Sequence, residues 1–189
     1  MSNLIKILFI TVCLCLPLRA LAEERDLVYT FIGPVIGSGM NNVVYSDWNI
    51  LYSKKKLSGY FINSGASIWV VSKWLIGDFS IQYMYNNFGK EGEIHHLYYT
   101  ISGRIGVNMG MVGIFAPGVG LYFESPPSNR KYLGGAGFRI PVAFLFNTTF
   151  DTKFFLEGSV MYGWFGMGNR STKFFYGINL GFIFKVGRI

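Results

Sequence analysis

The chain has 189 residues, a single-domain length, and is 51% hydrophobic and 18% aromatic with only 14% charged, against roughly 25% charged in an average soluble domain. So little charge cannot clothe a water-facing surface, and the net charge of +7 is scattered, with Lys54-Lys55-Lys56 the one run of three, which excludes a nucleic-acid footprint. The 24 glycines, 18 Phe and 12 Tyr argue against a helical bundle, because Gly costs about 1 kcal/mol in a helix interior while aromatics suit strands.

Met1 to Ala22 reads as a secretory signal: Lys6 supplies the positive start, Ile7 to Leu18 the apolar stretch and Ala20-Leu21-Ala22 the small-x-small cleavage site. Cleavage after Ala22 leaves 23–189 as one β-barrel domain. The apolar run is short of the roughly 20 residues a spanning helix needs. Cys13 and Cys15 both lie in that run, so the mature chain has no thiol for a disulfide or a metal, and no cofactor is expected.

From Asp26 onward, about eight segments of roughly 11 to 14 residues alternate with period two between Gly/Asn/Ser/Pro/Lys-rich breaks. In chain order they are Leu27 to Ser38, Leu57 to Val70, Leu75 to Asn86, His96 to Asn108, Met111 to Phe123, Tyr132 to Phe146, Phe154 to Trp164 and Phe174 to Val186. The third shows the logic: Leu75, Phe79, Ile81, Tyr83 and Tyr85 share one face, and Asp78, Ser80, Gln82 and Asn86 the other. Ile105 to Phe123 carries no charge and is long enough for a spanning helix, but its glycines and Pro117 speak for strands.

The polar face, mainly Gly, Ser, Asn and Thr, is too weakly charged to meet water. The opposite face is bulky and would aggregate if exposed to water. Facing lipid, it supplies an apolar band with aromatic girdles, and hydrocarbon then demands a closed sheet because it offers no partner to strand edges. The expectation is an all-β, closed, antiparallel up-and-down transmembrane barrel of about eight strands. The connections Gly39–Lys56, Phe88–Ile94, Glu124–Lys131 and Gly166–Thr172 are longer than those near Ser72-Lys73, Met109-Gly110 and Asn147–Thr152, which places the former outside and the latter in the periplasm.

As a pattern, the mature chain resembles the small outer-membrane β-barrel superfamily that includes the OmpA membrane domain, OmpX and OmpW. Its most specific stretch is Asn179-Leu180-Gly181-Phe182-Ile183-Phe184-Lys185-Val186, similar to the family's C-terminal assembly signal, with Asn179, Gly181, Phe184 and Val186 at the signal positions. It departs from that signal in the Gly187-Arg188-Ile189 that follows. His95-His96-Leu97 and Gly118 to Phe123 are a weaker echo of OmpW. The resemblance implies residence in the bacterial outer membrane among its lipids, with periplasmic chaperones and the barrel-assembly machinery as partners in biogenesis.

Asp78 with Arg104, and Arg139 with Glu157, are expected as inward cross-strand ion pairs, on the assumption of symmetric hairpins about Glu91 and Thr148. With Gln82, Asn63, Asn179 and Lys185 they form a polar network that plugs the lumen. The expected role is structural or interfacial. An alternative is OmpW-like passage of a small hydrophobic ligand, leaving sideways where Pro117 and Pro141 remove donors from one seam. A lipid-modifying enzyme is a further alternative, but His95 and His96 lack the His-x-Ser arrangement of the outer-membrane deacylases, and neighbours on a strand point to opposite faces, against a shared metal. Lys54 to Lys56, Lys90, Arg130, Lys131, Arg170 and Lys173 are read as a positive outer rim suited to a polyanionic surface.

Overall fold

In a computed structural model, residues 27–46, 54–125, 135–149, 151–165 and 171–188 are described. Met1 to Ala22, read above as a secretory signal, and parts of three of the longer connections, with Arg130, Lys131 and Arg170, lie outside the described residues.

Eight antiparallel strands form one closed sheet: β1 (Tyr29–Ser46), β2 (Lys54–Val71), β3 (Leu75–Asn87), β4 (Glu93–Ile105, resumed at Val107–Asn108), β5 (Gly113–Glu124), β6 (Gly135–Asn147), β7 (Thr152–Phe165) and β8 (Ser171–Arg188). Each strand pairs with its sequence neighbours, and β8 returns to β1, so no edge is left over. The topology is up-and-down and antiparallel throughout. Ile105 to Phe123 is the end of β4, a turn with Gly110 at φ 69°, and β5. The short turns Ser72–Trp74, Met109–Val112 and Thr148–Asp151 share one end with Leu27 and Arg188.

Parity sorts the side chains as the pleat requires. Outward positions are large and apolar, among them Ile36, Ile62, Ile81, Ile140, Val160, Ile178 and Leu180. The mid-wall charges Asp78, Arg104, Arg139 and Glu157 all point inward and are buried. Aromatic rings girdle both ends of the wall. Near the turns, Phe115, Phe144, Phe146, Phe154 and Phe182 touch in sequence at centroid distances of 4.9–6.2 Å. Near the other end lie Tyr60 with Tyr85, Phe138 and Tyr162 with Trp164, and Phe174 with Tyr176. From Phe174 to Phe184 is ~33 Å along a strand, or ~25 Å at a tilt of roughly 40°, the height of a hydrocarbon band.

Two expectations need correction. β1 does not stop at Ser38: it continues to Ser46 and pairs throughout with β2, which begins at Lys54 rather than Leu57. Gly39 reads as the start of a connection, yet it is a place of close approach. A Cβ at Gly39 would lie 2.2 Å from the Tyr176 carbonyl oxygen and 2.7 Å from the Phe61 ring.

The prolines, likewise, do not share a seam. Ser125 donates to Leu97 and Met109 to Gly113, so odd residues of β5 face β4; Asn147 donates to Val112, so even ones face β6. Pro117 therefore lacks its donor opposite Ile105 in the β4–β5 seam, and Pro141 lacks its donor opposite Gly118 in the β5–β6 seam. The paired register is missing at those points, and again opposite Phe182, where Pro34 lies in β1. A tertiary amide has no N–H to give, and each internal gap in the described ladders carries one.

Candidate functional site in the lumen

Inward side chains fill the lumen in layers. Nearest the turns is an apolar layer of Phe31, Val35, Trp69, Ile76, Leu145, Phe155 and Ile183, all 5% exposed or less. This departs from the expected interior of Gly, Ser, Asn and Thr, because the inward parity of β1, β2 and β7 carries large side chains at this height.

Above it lies a belt of charges and amides. Arg104 donates through Nε to Asp78 Oδ1 at 2.8 Å and through Nη2 to Glu157. Arg139 bonds Glu157 and reaches Ser102 Oγ at 3.1 Å, with Asp78 Oδ2 at 3.5 Å. Asn179 donates to Glu157 Oε1 at 3.0 Å and accepts from Asn63 at 3.0 Å; Asn63 also donates to Gln82, which donates to Ser80 at 2.8 Å, and Ser80 meets Thr100 at 2.7 Å. One connected chain thus joins β2, β3, β4, β6, β7 and β8. The two remaining strands make room for it: a Cβ at Gly37 of β1 would lie 2.0 Å from Asn179 Oδ1, and one at Gly118 of β5 2.6 Å from Arg104 Cγ. The Arg104 guanidinium also stands 4.8 Å over the Trp69 ring, tying the belt to the layer beneath.

The next layer is aromatic, with Tyr98 and Tyr122 at 5.7 Å, Tyr122 and Phe175 at 5.2 Å, and Phe61 and Phe175 at 6.2 Å. A second polar layer follows, in which Glu124 Oε1 takes Lys173 Nζ at 2.8 Å and His96 Nε2 lies 3.4 Å from the same oxygen. Beside it Asn41 donates to Asn86, whose amide lies 3.4 Å from His96 Nδ1. Val43, Leu57 and Phe88 form an apolar cluster at the end remote from the short turns.

The structure brings Asp78, Gln82, Arg104, Arg139 and Glu157 together, though not by the expected register. Asp78 faces Ser102, and Arg139 faces Met161. The hairpins centre one and two residues away from the assumed points, and long guanidinium arms close the difference. Lys185 is outside the belt: it lies at the turn end, 3.5 Å from Asp151 and 4.3 Å over the Tyr29 ring. Lys173 is not a rim charge either, since it is 2% exposed. Phe174 and Tyr176 point outward, so parity alone could have placed Lys173 inside, and the same reasoning from Tyr122 would have found Glu124. Of the assembly-signal positions, Asn179 and Gly181 face inward and Phe184 and Val186 outward.

The two histidines part company. His95 lies on the outside, its Nδ1 2.5 Å from the Tyr83 hydroxyl and its ring 5.1 Å from that of Tyr85, while His96 lies inside. Among the described residues, no group of three His, Cys, Asp or Glu could hold a metal ion.

No protein-family model matches the sequence, and no curated protein matches it. Among solved structures, the chain is similar to the attachment invasion locus protein Ail of Yersinia pestis, solved in complex with the heparin analogue sucrose octasulfate (13% identity over 80% of this chain and 99% of that one, TM-score 0.34). It is also similar to Neisserial surface protein A (12% identity, 77% and 95%, TM-score 0.38) and to the outer membrane protease OmpT of Escherichia coli (8% identity, 87% and 99%, TM-score 0.43).

Proposed function

We propose that the protein is a non-conducting outer-membrane barrel with a structural and surface-contact role. The belt from Thr100 round to Arg104 carries this reading, because it occupies the lumen with paired and hydrogen-bonded groups at mid-wall height. Breaking a buried pair by removing one partner costs about 3–5 kcal/mol, so the belt resists opening. Passage of an apolar molecule sideways past Pro117 gains no support from the wall gap, since Gly118 beside it is paired with Arg104 and the Arg104 side chain packs against it. Reconstitution into planar bilayers is the test: the barrel adds no large, stable, ohmic steps, and such steps from folded protein would overturn the proposal.

The surface-contact part rests on Lys54, Lys55, Lys56 and Lys90 at the end remote from the short turns. Cations at a rim attract anionic headgroups or polyanionic sugars with strong salt dependence. Salt-sensitive retention on a heparin surface, lost on changing these four lysines to Gln, is the expected result. Absent or salt-insensitive retention would remove this part.

A further inference from the structure

The opposite mouth, at the short turns, holds a cavity of about 780 Å³ that the lumen belt does not reach. Phe31, Val71 and Ile114 supply its apolar lining, continuous with the apolar layer below the belt. Three lysines converge on it from three turns and strand ends, Lys73, Lys153 and Lys185. The Lys153 ammonium, on a half-buried side chain, donates to Asn147 Oδ1 and stands 5.6 Å from the centre of the Phe31 ring, so it is held at the boundary between apolar wall and opening. Lys185 is held likewise over Tyr29. Asp151 is the one acid of the described residues at this end; it is 71% exposed and lies against Lys185. No described carboxylate lies within 4.0 Å of Lys73 or Lys153.

From this geometry we infer that the turn-end mouth binds an amphiphile with an anionic phosphate or carboxylate head, the head meeting Lys73 and Lys153 and the apolar portion lying on Phe31, Val71 and Ile114. The volume suits a small ligand. A neutral amphiphile would leave the ammonium groups no charge to gain, and a bare anion would leave the apolar lining wet. The Arg104–Glu157 belt bounds the depth, so the ligand is held at the mouth and does not cross the barrel. This inference is independent of whether the outer rim meets polyanions.

The test uses the folded full barrel in nanodiscs of zwitterionic phosphatidylcholine, with Val71 and Ile114 methyl resonances as reporters. Dodecyl phosphate is expected to shift both saturably, with at least tenfold weaker binding of dodecanol and of inorganic phosphate. Lys73→Gln, at an exposed turn, and Lys153→Gln should each weaken dodecyl phosphate several-fold, and the double variant more. Nanodiscs containing phosphatidylglycerol with no added probe separate the sources: the same methyl shifts there assign the head to a bilayer lipid, and shifts confined to dodecyl phosphate assign it to a free single-chain amphiphile. Equal affinity for dodecanol, equal affinity for inorganic phosphate, or indifference to both lysine changes would overturn the inference. So would binding that appears only once Glu23, Glu24 and Asp26 are neutralised, because the lysines would then already be answered by the chain's own acids.

Discussion

Arg104 of β4 and Glu157 of β7 form an ion pair across the lumen although β5 and β6 stand between them in the wall. The pair is buried at 0% and 3% side-chain exposure, and Asp78 and Arg139 complete it into a four-charge cluster of zero net charge. Such a contact measures the barrel's diameter, because only a narrow lumen lets side chains of non-adjacent strands meet.

Glu157→Ala leaves two buried guanidinium groups facing the single carboxylate of Asp78. The expected loss is about 3–5 kcal/mol, read as a lower urea midpoint for the band that runs at its unheated mobility. Replacing Asp78, Arg104, Arg139 and Glu157 together with apolar residues of similar volume should cost less than Glu157→Ala alone, and a larger cost would show that the cluster is worth more than its charge balance.

The second polar layer makes a parallel case on a smaller scale. Lys173→Met strands Glu124 beside His96. Lys173→Met with Glu124→Gln should recover part of the loss, and a double-mutant cycle in refolding titrations measures the coupling; additive effects would refute the pairing.

Ile178 and Ile140, 56% and 59% exposed, belong to the lipid-facing wall. A change to Arg at either should cost about 2–4 kcal/mol near the bilayer midplane. The equivalent change at Val186, near the end of β8, should cost less. Folding yields into vesicles give the comparison, and equal costs would contradict the membrane-spanning assignment.

Glycines on the two faces should respond oppositely to a side chain. Gly163→Val would drive a Cβ within 2.1 Å of the Tyr122 hydroxyl and 2.5 Å of the Ala136 carbonyl oxygen, whereas a Cβ at Gly158 meets nothing within 4 Å. The first variant should fold poorly and Gly158→Val should fold at wild-type yield, as judged by heat-modifiable mobility.

The middle of β5 lacks ladder bonds on both sides, beside Pro117 and opposite Pro141. Ala116, opposite Ala143, and Val119, opposite Gly103, keep their ladder partners, so amide exchange at both should stay slow despite the two gaps. Pro117→Ala supplies a donor opposite Ile105, and the new amide should be protected from exchange, with a gain of about 0.5–1.5 kcal/mol if the bond forms without strain. Unprotected exchange there in the variant would mean that the gap has another cause.

Composition and period two were enough to show a closed antiparallel barrel with its greasy side out, and parity was enough to sort Asp78, Arg104, Arg139 and Glu157 inward, because the pleat turns alternate side chains to opposite faces whatever lies far away in the chain. The length of β1 was hidden, since Gly39 looks the same whether it marks a turn or a close approach. Which inward groups meet was beyond the sequence altogether. A hairpin centre displaced by one residue moves every cross-strand partner by two, so Asp78 faces Ser102, and contacts such as Arg104 with Glu157 depend on the curvature and stagger of all eight strands at once. The lysine-lined mouth is of the same kind: Lys73, Lys153 and Lys185 lie far apart in the chain, and only closure of the barrel gathers them round one opening.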